Sequence, residues 1–599
     1  MKDEGESFIS RLAVFATSAL RDVWLIWLAL VFLTTLPYVS AALRTPAGYV
    51  FSGVLTAYDD TFTYFAWMRQ GSDGHLLMCD PFTSELQRCE FFLPLWSILG
   101  FISRITHIPI ALTFHAARLL AALLLLIVAR AVAASVMKSR RRVRYSLWLY
   151  VTSGGLGWLV YGLKNTRHLF AAADASGSAD LNLPEAIAFR SVFSQVHFTV
   201  GVTLVCAAIK LFFSAIVEKK AGRALLAGML VSLLAVVHPY MVVVVCGVAG
   251  AALLASPWLN DRSEQVRIDY FSDPSFRSLR SLRFFAFLRG EFPSQRRKEP
   301  QRAQTNRTVF VAAAFGAGAI PGVAYLIHLN RSNEVLREWL RITDTFSPPP
   351  WEYALGFGIV AALAIAGFRL MWDRQAPYGR LLLIWALVQA ALLYAPVSYQ
   401  RRFVEGLQLP LAIAASVALL WIERRAFKGH AAARNRKVFL VGVIAFASLT
   451  NVGFFIGQMV ARGAGSGSTD PRRYLPADLV VAFDWLQANS EPEAVLFSSY
   501  LTGNLTPSMS GLRVFLGHYA QTLRSDDKGA QVTEFYAGAM TEETARKLFA
   551  EHRVRYVIYG QFEREISSAF APPNWLKLAY RNGGVEIYEA ITEGGSGTP

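Results

Sequence analysis

Asp59 and Asp60 stand side by side just beyond the first long apolar run of a 599-residue chain, and Tyr64 follows four positions on. Two carboxylates at a membrane boundary have two readings. An aspartate can take a proton from an acceptor hydroxyl as general base. It can also simply cap a helix, because Asp is favoured at the cap and negative charge suits a helix N-terminus. Phe62, Phe65, Trp67 and Met68 predict a short amphipathic helix lying along the membrane surface, on which Asp60 and Tyr64 share a face. A second cluster is Arg401-Arg402, at the outer boundary of a predicted span, where arginines are least expected. Their forked donors suit a phosphate; the plainer alternative is snorkelling to headgroups. The same outer side collects Glu85 in the first loop, Glu185 and His197 around a second loop, and His238 with Tyr240 at a hairpin tip. A lone histidine also has the ordinary reading of a satisfied structural group.

The elements that must position these groups are membrane helices. With 54% hydrophobic and 17% charged residues, and a mean hydropathy of +0.34, the chain belongs to the membrane class rather than to a string of soluble domains. The net charge of +16 does not point to nucleic acid, because the basic residues gather between apolar runs, as cytoplasmic loops require. Since about 20 apolar residues cross the hydrocarbon, length and charge predict about eleven spans with a cytoplasmic N-terminus and an outer C-terminus. They include Trp24 to Leu43, read as retained rather than cleaved, Ile110 to Met137, Tyr145 to Leu163, Phe193 to Val217, and a hairpin from Ala224 to Leu259 broken at His238-Pro239. Val309 to Leu329, Tyr353 to Trp372, Leu381 to Val397, Phe403 to Trp421 and Val438 to Val460 complete the set. Phe91 to Ile105 is too short to cross and is predicted to be a second interfacial or re-entrant helix.

Residues 1–460 thus form a membrane domain whose first outer loop covers 44–109. Residues 461–475, with GAGSGS, read as a linker, and 476–599 as a soluble domain. There, helices Asp478 to Asn489 and Thr541 to His552 alternate with strands Ala494 to Phe497, Val554 to Tyr559 and Val585 to Tyr588, predicting a small α/β fold. Tyr500 to Gly517, rich in Gly, Ser and Pro, is predicted to be a loop reaching back over the membrane face. Cys206 and Cys246 fall in spans as small hydrophobes. Cys79 and Cys89 share the first loop, where an oxidising compartment would allow them to pair. The polar second loop, Lys164 to Arg190, carries Asp174, Asp180 and Glu185, and the arginine-rich segment Asp261 to Arg307 is suited to resting on anionic headgroups.

At Asp59-Asp60, Tyr64, and Gly71 or Gly74 with His75-Leu76-Leu77, the chain resembles the GT-C superfamily of polytopic glycosyltransferases, which includes protein O-mannosyltransferases, lipid A aminoarabinose transferases and oligosaccharyltransferase catalytic subunits. LPEAIAFRSVFSQVHF (Leu183 to Phe198), YQRRFVEGLQLPLAI (Tyr399 to Ile413) and TGNLTPSMSGLRVFLGHYAQT (Thr502 to Thr522) also look like segments of bacterial members. The resemblance implies a polytopic α-helical GT-C-like fold in a bacterial inner membrane, with an extracytoplasmic C-terminal α/β domain. It implies a polyprenyl-phosphate sugar donor, a lipid, glycan or protein acceptor, and an inverting single displacement at the outer face. Asp60, or Asp59, would be the base and Arg401 with Arg402 the phosphate site. Tyr64, Glu85, Glu185, His197, His238 and Tyr240 would line the substrate cavity. No cofactor is required; a divalent metal at Glu185 would follow the oligosaccharyltransferases, but a clear Asp-x-Asp is missing from the second loop. The rival classes are a transporter or lipid flippase, which would show paired broken repeats, and a lipid-linked glycan ligase relying on the arginines rather than the aspartates.

Overall fold

Runs of apolar residues longer than a bilayer is thick can satisfy their backbone only as helices, and the described residues up to 460 are accordingly mostly helical, with three short strands between the first and second apolar helices. The computed structural model describes residues 2–167, 177–259, 301–342, 344–373, 377–428, 432–460, 470–491 and 493–591. Asp174, residues 260–300 of the basic segment and 461–469 of the linker lie outside the described residues. Six described helices are long and apolar enough to cross a membrane: Leu20–Leu43, Ile110–Val136, Val196–Glu218, Arg307–Ser332, Pro350–Trp372 and Gln400–Ala426. Ala433–Ala447 and Leu449–Val460, bent by 54°, make a seventh if taken as one broken span, and Ala221–Val237, Met241–Ser256 and Pro377–Leu392 are shorter apolar helices.

The chain divides into two compact units. The helical unit comprises Met1–Thr35, Arg118–Leu326 and Thr345–Gly457. Its hairpin breaks at His238-Pro239 as expected. The span expected from Tyr145 to Leu163 is instead split into helices Arg140–Thr152 and Gly157–Arg167. The cause lies further along the chain: the buried Asp180 carboxylate accepts the backbone N–H groups of Gly155 at 2.7 Å and Gly157 at 3.2 Å, so the break leaves these donors satisfied. Helix Gln408–Ala426 is nearly enclosed by its neighbours. A Cβ at Gly367 would lie 1.8 Å from the Ala414 carbonyl oxygen, so helix Pro350–Asp373 meets it backbone to backbone, the close approach that small residues allow between membrane helices.

The second unit comprises Leu36–Ala117, Ile327–Asp344 and Gln458–Pro599. Strands β1 (Tyr49–Phe51) and β4 (Tyr474–Pro476) pair antiparallel, as do β2 (Leu77–Met78) and β3 (Phe91–Phe92), and the Cys79–Cys89 disulfide closes the loop between the latter two. Strands β5 (Val495–Phe497), β6 (Arg513–Val514), β7 (Val554–Tyr559), β8 (Leu576–Asn582) and β9 (Val585–Ala590) form a sheet in the order β6-β5-β7-β9-β8, parallel across β6, β5 and β7 and antiparallel beyond. Its core is aromatic, with Phe497, Phe515, Phe535, Tyr536, Phe549 and Trp575 in one cluster. Two expectations change. Tyr500 to Gly517 is no loop: Tyr500–Met509 is a helix whose N-cap, Ser499, accepts from the Thr502 N–H. The helix that carries the aspartates, Tyr58–Asp73, does not lie with one face free. Phe62, Phe65, Trp67, Met68, Thr61 and Thr63 are all buried, and Gly100 of helix Pro94–Thr106 approaches so closely that a Cβ there would be 1.9 Å from the Met68 carbonyl oxygen.

Candidate functional site

Helix Tyr58–Asp73 starts from Ala57, which has φ 50° and ψ 55° and no side-chain cap. The capping reading therefore fails, because both aspartates lie inside the first turn. A left-handed alanine costs about 1–2 kcal/mol, and the resulting turn sends the two carboxylates to different partners. Asp59 accepts from Arg472 Nη1 at 2.7 Å and Nη2 at 3.3 Å, and from the Tyr500 hydroxyl at 2.6 Å. Arg472 also donates to Asp470 at 2.8 Å and to Asn504 Oδ1 at 2.8 Å. Burial alone would raise the Asp59 pKa, but the hydrogen bonds from Arg472 and Tyr500 outweigh it and hold the carboxyl below its ordinary range. A carboxylate so stabilised is a weak base. Asp60 is different: its side chain is 51% exposed, and its Oδ1 lies 3.5 Å from His518 Nε2.

Tyr64 stacks on Trp96, with ring centroids 4.5 Å apart and planes 7° from parallel. Glu85 accepts from Lys528 Nζ at 2.8 Å and from the Thr83 hydroxyl; burial raises its pKa, but the Lys528 charge prevails and lowers it. These contacts make Glu85 an anchor for its loop on helix Ser525–Tyr536.

In the same loop, burial pushes the Asp80 carboxyl up to about 7, although the Phe82 N–H donates to it at 2.8 Å. An unfolded aspartate titrates near 3.9, so the folded state binds the proton more tightly. This contribution to stability is complete below about pH 4 and is lost as pH rises toward 7, by roughly 4 kcal/mol in all. Asp80→Asn is expected to unfold later than the wild type at pH 8 and no later at pH 4, which thermal unfolding at both pH values checks.

In the helical unit, Arg401 and Arg402 sit on a 3₁₀ turn, Gln400–Val404, fixed by the Arg401 N–H donating to Thr345 O at 3.0 Å and by Gln389 Nε2 donating to Phe403 O at 2.7 Å. Both guanidinium groups approach Glu185 Oε1, Arg401 Nε at 3.5 Å and Arg402 Nη1 at 3.7 Å. These are ion-pair distances, longer than direct hydrogen bonds. His238 Nε2 lies 2.8 Å from Glu405 Oε1, the His197 and His238 rings are 5.4 Å apart, Arg402 lies over the Phe198 ring at 5.9 Å, and Tyr240 packs on Tyr399 at 5.0 Å. Glu185 also lines a small cavity with Tyr150, Ser191, Thr199, Gly406 and Gln408.

The structure therefore gathers Arg401, Arg402, Glu185, His197, His238 and Tyr240 into one neighbourhood of the helical unit. Asp59, Asp60, Tyr64 and Glu85 belong to the other unit. Among the described residues, no three His, Cys, Asp or Glu side chains converge as metal ligands. The sequence reading missed Glu405, Arg472, Tyr500 and His518. Glu405, an ionisable residue beside an apolar run, carried the usual signal of a functional intramembrane group, and Asp470-Pro471-Arg472-Arg473 is a charge cluster inside the segment read as a linker, whose residues 470–475 are instead ordered as a turn and a strand. His518 lies within the Thr502 to Thr522 segment that carries part of the resemblance, but nothing local assigns it a role.

No protein-family model matches the chain, and no curated protein matches it. Among solved structures, the chain is similar to the oligosaccharyltransferase of Archaeoglobus fulgidus tethered to an acceptor peptide containing the NVT sequon. The two are 14% identical with a TM-score of 0.50, over 91% of this chain and 70% of that one. It is also similar to ArnT from Cupriavidus metallidurans bound to undecaprenyl phosphate, at 10% identity and a TM-score of 0.50, over 98% of this chain and 99% of that one. Both are GT-C members. At these identities the likeness shows the fold, and it is the GT-C fold that the sequence resemblance implies.

Proposed function

We propose that this chain, built on the GT-C fold, is a membrane glycosyltransferase that moves a hexosyl or pentosyl group from a polyprenyl-phosphate donor to an acceptor at the extracytoplasmic face. Asp60 takes the proton of the acceptor hydroxyl while that oxygen bonds to the anomeric carbon. The bond from this carbon to the phosphate oxygen breaks in the same displacement, with inversion, and polyprenyl phosphate leaves. Arg401 and Arg402 hold the phosphate and stabilise the negative charge that grows on it. The observation that carries the reading is this arginine pair, set on a fixed turn at 3.5 and 3.7 Å from one buried carboxylate. Glu185 orients the guanidinium groups from ion-pair distance. His197, His238 and Glu405 support the same wall. The arginines supply the positive charge that a divalent cation would otherwise provide, so the reaction needs no cofactor.

Purified protein incubated with a panel of radiolabelled polyprenyl-phosphate sugars is expected to hydrolyse or transfer at least one of them, with a rate unchanged by EDTA. Neither binding nor turnover of any donor would sink the proposal, and loss of turnover in EDTA would sink its cofactor-free form.

A further inference from the structure

We infer that His518 is a positioning residue for Asp60: its Nε2–H fixes one carboxylate oxygen and leaves the other to take the acceptor's proton. The inference rests on the glycosyl-transfer reading and adds a residue from the C-terminal segment to the base.

His518 is 3% exposed. Its Nδ1 accepts the Ala520 N–H at 3.2 Å, so a neutral ring carries its hydrogen on Nε2. That nitrogen is buried and makes no hydrogen bond among the described residues, so its donor is open to a nearby acceptor. It faces Asp60 Oδ1 at 3.5 Å, about half an ångström beyond an ordinary N–H···O bond. The ring itself is held. It stacks on Tyr519 at 4.9 Å and 20°, meets Phe82 edge-on at 6.2 Å, and its carbonyl accepts from the Gln521 and Thr522 N–H groups at 3.0 and 2.8 Å. A structural histidine would be expected to use both nitrogens. Here one is committed to the backbone and the other is held toward the more exposed of two adjacent aspartates. The adjacent Asp59 is already held by Arg472 and Tyr500.

A small rotation of Asp60 closes the contact. Oδ1 then accepts from Nε2–H, the carboxylate plane is set, and Oδ2 is the oxygen presented to the acceptor. When Oδ2 takes the proton, Oδ1 becomes the carbonyl oxygen of a neutral acid and can keep the same hydrogen bond. The histidine neither gains nor loses a proton.

The test compares kcat and the donor KM of the full-length protein carrying His518→Phe or His518→Gln, alone and with Asp60→Asn. Thermal unfolding serves as the fold control. The Phe variant is expected to lose about 10–100-fold in kcat with the donor KM unchanged, in the range of a general-base contribution partly lost. The Gln variant, whose amide N–H can replace Nε2–H, is expected to stay within about threefold of wild type. In the Asp60→Asn background, His518→Phe is expected to add nothing, because the group it positions is gone. A folded Phe variant with wild-type kcat, or an undiminished Phe effect in the Asp60→Asn background, overturns the inference. If the Phe variant does not fold, a folded Gln variant as inactive as Asp60→Asn overturns it. Wild-type turnover in Asp60→Asn alone would instead overturn the base assignment, and a wild type inert to every donor would overturn glycosyl transfer. Both outcomes are visible without any His518 variant.

Discussion

Asp60→Asn is expected to lower sugar transfer by about 10²–10⁴-fold, the range that a positioned general base supplies, while the protein still binds its donor. The argument is an asymmetry between neighbours. Asp59 faces two guanidinium donors and a hydroxyl at 2.6–3.3 Å, and its basicity is correspondingly reduced. Asp60 keeps half its side chain exposed, and the His518 Nε2 stands 3.5 Å from its Oδ1. Asp59→Asn serves as the control. It removes charge from a network that also includes Asp470 and Asn504, so its main effect is expected on the unfolding temperature, with kcat within about tenfold of wild type. Single-turnover rates with a saturating labelled donor separate the two variants. An inactive Asp59→Asn beside an active Asp60→Asn would reverse the roles.

Replacing both arginines of the 401–402 pair by alanine is expected to weaken polyprenyl-phosphate binding by at least 100-fold. A hydrogen bond to a charged group contributes about 1.5–3 kcal/mol, and 1.4 kcal/mol is tenfold in affinity. Each single alanine variant is therefore expected to lose about 10–100-fold. Lysine is a poor substitute, since an ammonium group lacks the planar fork that grips two phosphate oxygens. Titration of the purified protein with a fluorescent polyprenyl phosphate reads these affinities directly. Unchanged affinity in the double variant would leave the pair with a structural part beside Glu185 and would remove the phosphate role.

How much of this was legible in the sequence depended on the distance between cause and effect along the chain. Where the cause was local, the reading held: proline after His238 broke the hairpin, and Val554–Tyr559 formed a strand with the expected bounds. Where the cause lay far away, it failed. Nothing within Tyr145 to Leu163 announces that Asp180 will accept the Gly155 and Gly157 N–H groups and so make a broken span affordable. Gly503 and Pro507 suggested a loop, but the cap at Ser499 and the enclosing contacts of the unit made that segment a helix. The site divides in the same way. Arg401-Arg402 stood out because arginine is rare at that kind of boundary, and the structure surrounds them with the expected Glu185 and histidines. Arg472, Tyr500 and His518 reach the acidic pair across more than 400 residues, a separation that no local pattern can express.

The pairing of β1 with β4 joins segments about 421 residues apart, as the Ser52–Arg473 hydrogen bond beside it records. At roughly 5–20 residues per second, the early strand emerges from the ribosome on the order of a minute before its partner exists. Throughout that interval Asp59 has neither Arg472 nor Tyr500, and Asp60 has no His518. The acidic pair is thus assembled only after the segment from Arg472 to His518 has been made, and a chain released before that point holds the first loop without the groups that shape it.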